Sequence, residues 1–173
     1  MWLSLRHAQT LCAAITDTLC TVDKKNADLY RTNFSAYKAQ LAALDNQYAD
    51  AVQNAARKTV LFGDRFPFRY LVDDYGLSYY AAFVGCSAET EASFKTVAFL
   101  SGKVDELALP TVLQIESGDG KIASTIIKNS KAKNATVLTL DSMQSVTAKQ
   151  IADGANYLGI MRENLTVLKE ALN

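Results

Sequence analysis

Three carboxylates stand where a strand gives way to a loop. Asp141 directly follows the apolar run Thr136-Val137-Leu138-Thr139-Leu140, and Glu116 directly follows Pro110-Thr111-Val112-Leu113-Gln114-Ile115. Asp64 follows Thr59-Val60-Leu61-Phe62-Gly63 and is itself followed by Arg65. An aspartate in such a place can ligate a hard or borderline cation, or bind a hydroxyl. The plainer role is a turn or helix cap for Asp141, loop hydrogen bonding for Glu116 and a local ion pair for Asp64. Glu116 and Asp141 together could in principle do acid–base work. The glycines of Glu116-Ser117-Gly118-Asp119-Gly120-Lys121 indicate a tight turn entering a helix. They do not make a phosphate-binding loop of the Walker type, which needs a longer glycine-rich stretch and a Lys-Ser/Thr pair. The single histidine, His7, falls on the polar side of a helical pattern and is expected at the solvated surface. A Ser-His-Asp or Cys-His system would have to use it, and its setting is unsuitable. A tetrahedral zinc site needs about four His, Cys or carboxylate ligands. This chain alone struggles to supply them.

The elements that must carry these residues follow from periodicity. Leu5, Ala8, Cys12, Ile15, Leu19 and Val22 recur at helical spacing over residues 4–22, with Ser4 as N-cap. After the turn Asp23-Lys24-Lys25-Asn26 comes a long helix, residues 25–56. Its seam of Tyr30, Phe34, Tyr37, Leu41, Leu44, Tyr48, Ala51 and Ala55 runs for about 40 Å without Gly or Pro. Tyr and Ala dominate that seam where a coiled coil would carry Leu and Ile, so it suits a helix lying along a domain. From residue 58 the texture alternates. Strands are expected at 59–62, 77–84, 110–115 and 136–140, and helices at 68–75, 93–107, 120–132 and 148–172. Connections of this length imply right-handed crossovers and a parallel sheet. The expected fold is therefore α/β: a four-stranded, mostly parallel sheet flanked by helices, preceded by a short helix and a long connecting helix. Ligands of such sheets bind beyond the carboxyl ends of the strands. Here those ends are Gly63-Asp64-Arg65, Gly85-Cys86, Glu116-Ser117 and Asp141-Ser142.

The bulk numbers narrow the classes. The 173 residues fit one domain, and 49% hydrophobic with 21% charged residues is ordinary globular composition. Lys plus Arg and Asp plus Glu are both 18, so the basic excess of a nucleic-acid binder is missing. No run of 18 apolar residues occurs. Cys12, Cys20 and Cys86 are odd in number, and the first two lie roughly 12 Å apart on one helix, too far to bridge. Buried free thiols are expected. Asn-x-Ser/Thr triplets at Asn33, Asn134 and Asn164 are best explained by chance. The abrupt start Met1-Trp2-Leu3-Ser4, at the edge of a helix, reads as an internal boundary of a longer chain. The lack of a leader therefore says little about compartment.

Several segments, in order, resemble the zinc and manganese solute-binding proteins of bacterial ABC importers. Trp2-Leu3-Ser4-Leu5-Arg6-His7-Ala8 resembles the family's His-x-Trp-Leu-Ser-Pro-x-Asn-Ala, and Asp23 to Tyr48 resembles the long helix joining its two lobes. Phe68-Arg69-Tyr70-Leu71 through Tyr75-Gly76-Leu77 is similar to its Phe-x-Tyr-Phe…Tyr-Gly-Leu. Glu91-Ala92-Ser93 stands where Glu-Pro-Ser is common, and Thr139-Leu140-Asp141-Ser142 resembles the final ligand segment. The resemblance implies a two-lobed, extracytoplasmic receptor, usually lipid-anchored, that holds Zn or Mn between its lobes and delivers it to a membrane permease. It implies the division 1–24, a remnant helix of the N-terminal lobe; 25–56, the connecting helix; and 57–173, the C-terminal α/β lobe. Of four implied ligands only the last carries over, onto Asp141. The second would sit just before Trp2, where Met1 stands. The third aligns near Arg65, which cannot ligate a metal while charged; Asp64 is its possible substitute. The metal candidates are thus Asp141 and Asp64, and weak or no metal binding by this chain alone is expected. An interaction module is the second reading, with the long helix packing against a partner or a second copy; an enzyme using Asp141 and Glu116 is the third.

Overall fold

The computed structural model describes residues 1–83 and 92–173. Helix α1 (Leu5–Val22) is capped by Ser4, whose hydroxyl accepts the His7 N–H. A short 3₁₀ turn, Lys24–Asn26, leads into α2 (Ala27–Gln53). There follow β1 (Thr59–Phe62), α3 (Arg69–Tyr75), β2 (Ser78–Ala81), α4 (Phe94–Glu106), β3 (Thr111–Ile115), α5 (Lys121–Asn129), β4 (Thr136–Leu140), α6 (Ala148–Ala152) and α7 (Tyr157–Leu172). The predicted strands at 59–62 and 136–140 agree with the structure residue for residue. The expected strand at 77–84 is Ser78–Ala81, and Val84, like Cys86 and Glu91, lies outside the described residues.

The four strands form one all-parallel sheet in the order β2-β1-β3-β4. The chain steps outward from β1 to β2, then back past β1 to β3 and on to β4. Right-handed crossovers taken in opposite directions put their helices on opposite faces. The packing agrees: α2, α3 and α7 share one core with Phe62, Leu113, Ile115 and Leu140, whereas α4 and α5 share the other with Leu61 and Val112. Neighbouring strand residues face opposite cores because side chains alternate along a strand. The place where the direction reverses, between β1 and β3, opens the crevice at the carboxyl edge.

Two expectations need correction. The single helix 148–172 is two helices, α6 and α7, broken at Asp153-Gly154-Ala155-Asn156. Gly154 takes a left-handed φ of 93°, and the Asn156 side chain caps α7 by accepting the Gly159 N–H. The helix expected over 25–56 is regular only from Ala27 to Gln53, and its buried residues are confined to Leu41, Leu44, Tyr48 and Val52. The first half of α2 rests mainly on α1, with Tyr37 reaching the lobe core, so α1 and α2 form a helical arm rooted in the lobe at Leu5, Ala8, Cys12 and Tyr37–Val52. At its root Tyr48 is fully buried and donates to the Met161 carbonyl at 2.7 Å. Its ring stacks on Tyr75, whose hydroxyl donates to Asp45.

Candidate metal centre

Asp141, the residue after β4, sits at the free edge of the sheet and is fixed from three sides. The Asn164 amide on α7 accepts the Asp141 N–H and donates to the Asp141 carbonyl, both at 2.8 Å. The Asp141 carboxylate accepts the Met143 N–H at 2.7 Å through Oδ1. Burial pushes the Asp141 carboxyl above its ordinary range, and Glu116 and Glu163 push it further, against the pull of the Met143 N–H. A site that strains to carry negative charge gains from a cation. The carboxylate lines a cleft of about 340 Å³ beside α6 and α7, together with Gln150, Asp153, Asn156 and Glu163.

Glu116, after β3, reaches over the end of β4. Its carboxylate accepts the N–H of Ser142 at 2.7 Å, of Gln144 at 3.0 Å and of Ser145 at 3.1 Å, and the Ser142 hydroxyl at 2.9 Å. Burial works to raise the Glu116 carboxyl, but these donors outweigh it and hold it below the ordinary range. The reading of Glu116 as a loop-binding carboxylate therefore stands.

Asp64 is tied into the sheet. Oδ1 accepts the Arg65 N–H at 2.7 Å and Oδ2 accepts the Ile115 N–H at 3.2 Å, which extends the β1–β3 pairing by a side chain. The Arg65 guanidinium lies 3.8 Å from Asp64 and donates to Ser117 at 3.0 Å. These groups line a second cleft, of about 250 Å³, with Gly118 and Ile122. Asp64 and Asp141 thus line different clefts on the same edge. Among the described residues no group of three or more His, Cys, Asp or Glu is arranged to hold a metal ion.

His7 is not at the solvated surface as expected. It is half-buried, edge-on to Tyr70 with ring centres 5.0 Å apart, and its Nδ1 is buried without a hydrogen-bond partner. Cys12 and Cys20 are free and only half-buried. Trp2 packs where the expected second ligand would precede it. Its indole N–H donates to the Ser142 carbonyl at 3.0 Å, and its own carbonyl accepts the Tyr157 hydroxyl at 2.7 Å. The start of the chain is therefore pinned beside Asp141.

Comparison with known proteins gives the family. The chain matches the family ZnuA, described as zinc-uptake complex component A, periplasmic, over residues 1–171. The chain belongs to this family. ZnuA-family proteins are solute-binding components of ABC importers, not enzymes, which removes the acid–base reading of Glu116 and Asp141. The ZnuA of Bacillus subtilis, named a high-affinity zinc uptake system protein, is 30% identical over 173 residues, covering 99% of this chain and 52% of the relative. The zinc-binding protein AdcA of Streptococcus pyogenes is 28% identical, covering 98% of this chain and 32% of its own length. The chain thus spans a third to a half of the relatives it matches. The Zn(II)-bound ZnuA-like domain of Streptococcus pneumoniae AdcA superimposes with a TM-score of 0.79 at 29% identity, covering 99% of this chain and 62% of that one. The metal-dependent lipoprotein YcdH of Bacillus subtilis gives 0.84 at 27% identity, covering 99% and 63%. The α/β fold and the family expected from the sequence are both borne out. No helix among the described residues is long and apolar enough to cross a membrane.

Asn164 is the site residue the sequence reading passed over, noting it only as part of an Asn-Leu-Thr triplet. It is 2% exposed on a helix face otherwise formed by Met161, Leu165 and Leu168. A polar residue on an apolar stripe was the available signal.

Proposed function

We propose that this chain supplies the Asp141 ligand to a Zn²⁺ site of an extracytoplasmic solute-binding protein, and that the remaining ligands come from outside the described residues. The carrying observation is the preset Asp141 carboxylate: its backbone is clamped by Asn164, Oδ1 is held by Met143, and the group faces an open cleft. Asp64, the other sequence candidate, is not part of this site: it lines a different cleft, and a metal there would displace its contacts to Arg65 and Ile115. Mn²⁺ is the alternative cargo, and the permease of an ABC importer is the acceptor. In this reading the division is 1–24 as part of a second lobe, α2 as the connector and 57–173 as the α/β lobe. The relatives' names as zinc-binding proteins support it.

Trp2 is the only tryptophan, and its hydrogen bond to Ser142 makes it a reporter one residue from Asp141. Zn²⁺ titrated into the full-length protein should release heat and shift tryptophan emission with a matching midpoint, and Trp2→Phe should reduce that shift. Asp141→Ala should weaken that affinity at least about 100-fold, because losing a ligand exceeds losing a ligand's supporting contact. This chain alone should bind much more weakly than the full-length protein. Unchanged Zn²⁺ affinity in Asp141→Ala would remove Asp141 from the site.

A second reading, self-association through the arm, draws on one observation. Leu11, Ile15, Leu19 and Val22 are exposed in a row on α1, beside a cleft of about 310 Å³ lined by Cys12, Tyr30, Phe34 and Tyr37. A second copy of this chain would bury that row. Sedimentation equilibrium without metal should then show a concentration-dependent mass that Ile15→Glu abolishes; a monomer at all concentrations rejects it.

A further inference from the structure

The loop after Asp141 is folded around another residue's charge. Strands β3 and β4 pair in parallel with Ile115 opposite Leu140, so Glu116 and Asp141 leave the sheet side by side. Glu116 turns inward under the loop, and the loop wraps it: three backbone N–H groups and one hydroxyl from residues 142–145 converge on its two oxygens. Met143, in the middle, adopts a left-handed φ of 58°. That conformation is unfavourable for a residue with a long side chain, and it is the kind that turns successive N–H groups toward one anion. Ser142 is fully buried and has every polar group occupied: its N–H and hydroxyl go to Glu116, and its carbonyl accepts the Trp2 indole N–H. The Met143 N–H, the one backbone donor of residues 142–145 not aimed at Glu116, is aimed at Asp141 Oδ1.

We infer that Glu116 is a positioning residue for the metal site: it never touches the ion, but its carboxylate templates the 142–145 loop so that the Met143 N–H holds Asp141 in its ligating orientation. The inference rests on the reading of Asp141 as a metal ligand. The chemistry asks for a carboxylate at 116. Four donors need acceptor oxygens only, and an amide offers one oxygen and turns an NH₂ group toward donors. Glu116→Gln is therefore not conservative here, although it is nearly isosteric.

The test reads the Met143 amide, which Glu116 does not contact. In Glu116→Gln, hydrogen exchange at Met143 should quicken at least about tenfold while the amides of Leu41–Tyr48 in α2 keep their protection. Zn²⁺ affinity of the full-length protein should fall about 10–100-fold, the usual size for a lost supporting contact. Should the Gln variant fail to fold, Glu116→Asp is measured the same way, since it keeps the charge and withdraws it by one methylene. Unchanged exchange at Met143 in a folded variant overturns the inference, as does quickened exchange with unchanged Zn²⁺ affinity. Asp141→Asn separates the two ideas: if it leaves Zn²⁺ binding intact, the ligand reading itself has failed, whatever Met143 does.

Discussion

Asn164→Leu lowers the stability of the protein by about 3 kcal/mol, read as a fall in the urea midpoint at unchanged slope. Leu keeps the branched shape of Asn but is bulkier, so some overpacking at this buried position adds to the main loss, the pair of hydrogen bonds to the Asp141 backbone. β4 is the edge strand of the sheet, and among the described residues no further strand lies beyond it to receive Asp141. The Asn164 amide does what a neighbouring backbone would do, giving one hydrogen bond and taking one. It is 2% exposed, so little water can replace it. Each backbone group left unpaired costs about 1–3 kcal/mol, with the lower end fitting the half-buried Asp141. A loss below about 1 kcal/mol would mean that solvent reaches the Asp141 backbone and that the clamp is not a structural necessity.

Gly63→Ala has a comparable effect from a different cause. Gly63 is not held in a left-handed conformation; its requirement is space. A Cβ there would lie 2.5 Å from the Ala123 Cα and 2.7 Å from the Ala123 nitrogen. Both are backbone atoms in the first turn of α5, which no rotamer change can move. Either α5 shifts away from β1 or the end of β1 is displaced. Overpacking of this kind costs about 1–3 kcal/mol, and contact with backbone favours the upper end. The Gly102→Ala change serves as control. Gly102 lies within α4 and a Cβ there meets nothing within 4 Å, so removing the glycine should stabilise the helix by about 0.5–1 kcal/mol. Thermal melts of the two variants should therefore move in opposite directions, and a Gly63→Ala midpoint equal to that of the parent would refute the close-approach argument.

Much of the fold was legible because local rules agreed with one another. The runs Thr59–Phe62 and Thr136–Leu140 are short, apolar and bounded by turn residues. Ser4 and Ser93 cap their helices through side-chain oxygens, and Gly76 ends α3 with a φ of 68°. The break between α6 and α7 was written in Asp153-Gly154 and in Asn156, but the apolar stripe on either side disguised it. The site was legible only in part. Asp141 could be singled out because it ends a clean strand. That Glu116 serves the loop of Asp141 depends on β3 pairing with β4, a fact of tertiary structure. The contact between Trp2 and Ser142 spans 140 positions and leaves no local trace.

The arm made of α1 and α2 has a mechanical side. It is gripped at its root, by Leu5, Ala8 and Cys12 on one helix and by Tyr37–Val52 on the other, and from Tyr37 back to Ala27 the rod extends roughly 15 Å at about 1.5 Å per residue. A lever of that reach turns a tilt of about 5° at the root into a displacement of roughly 1 Å at the tip. Tyr48, stacked on Tyr75 and bonded to Met161, sits at the fulcrum. Any body carried on the outer turns would thus have its reach set by the packing of one tyrosine ring in the lobe below.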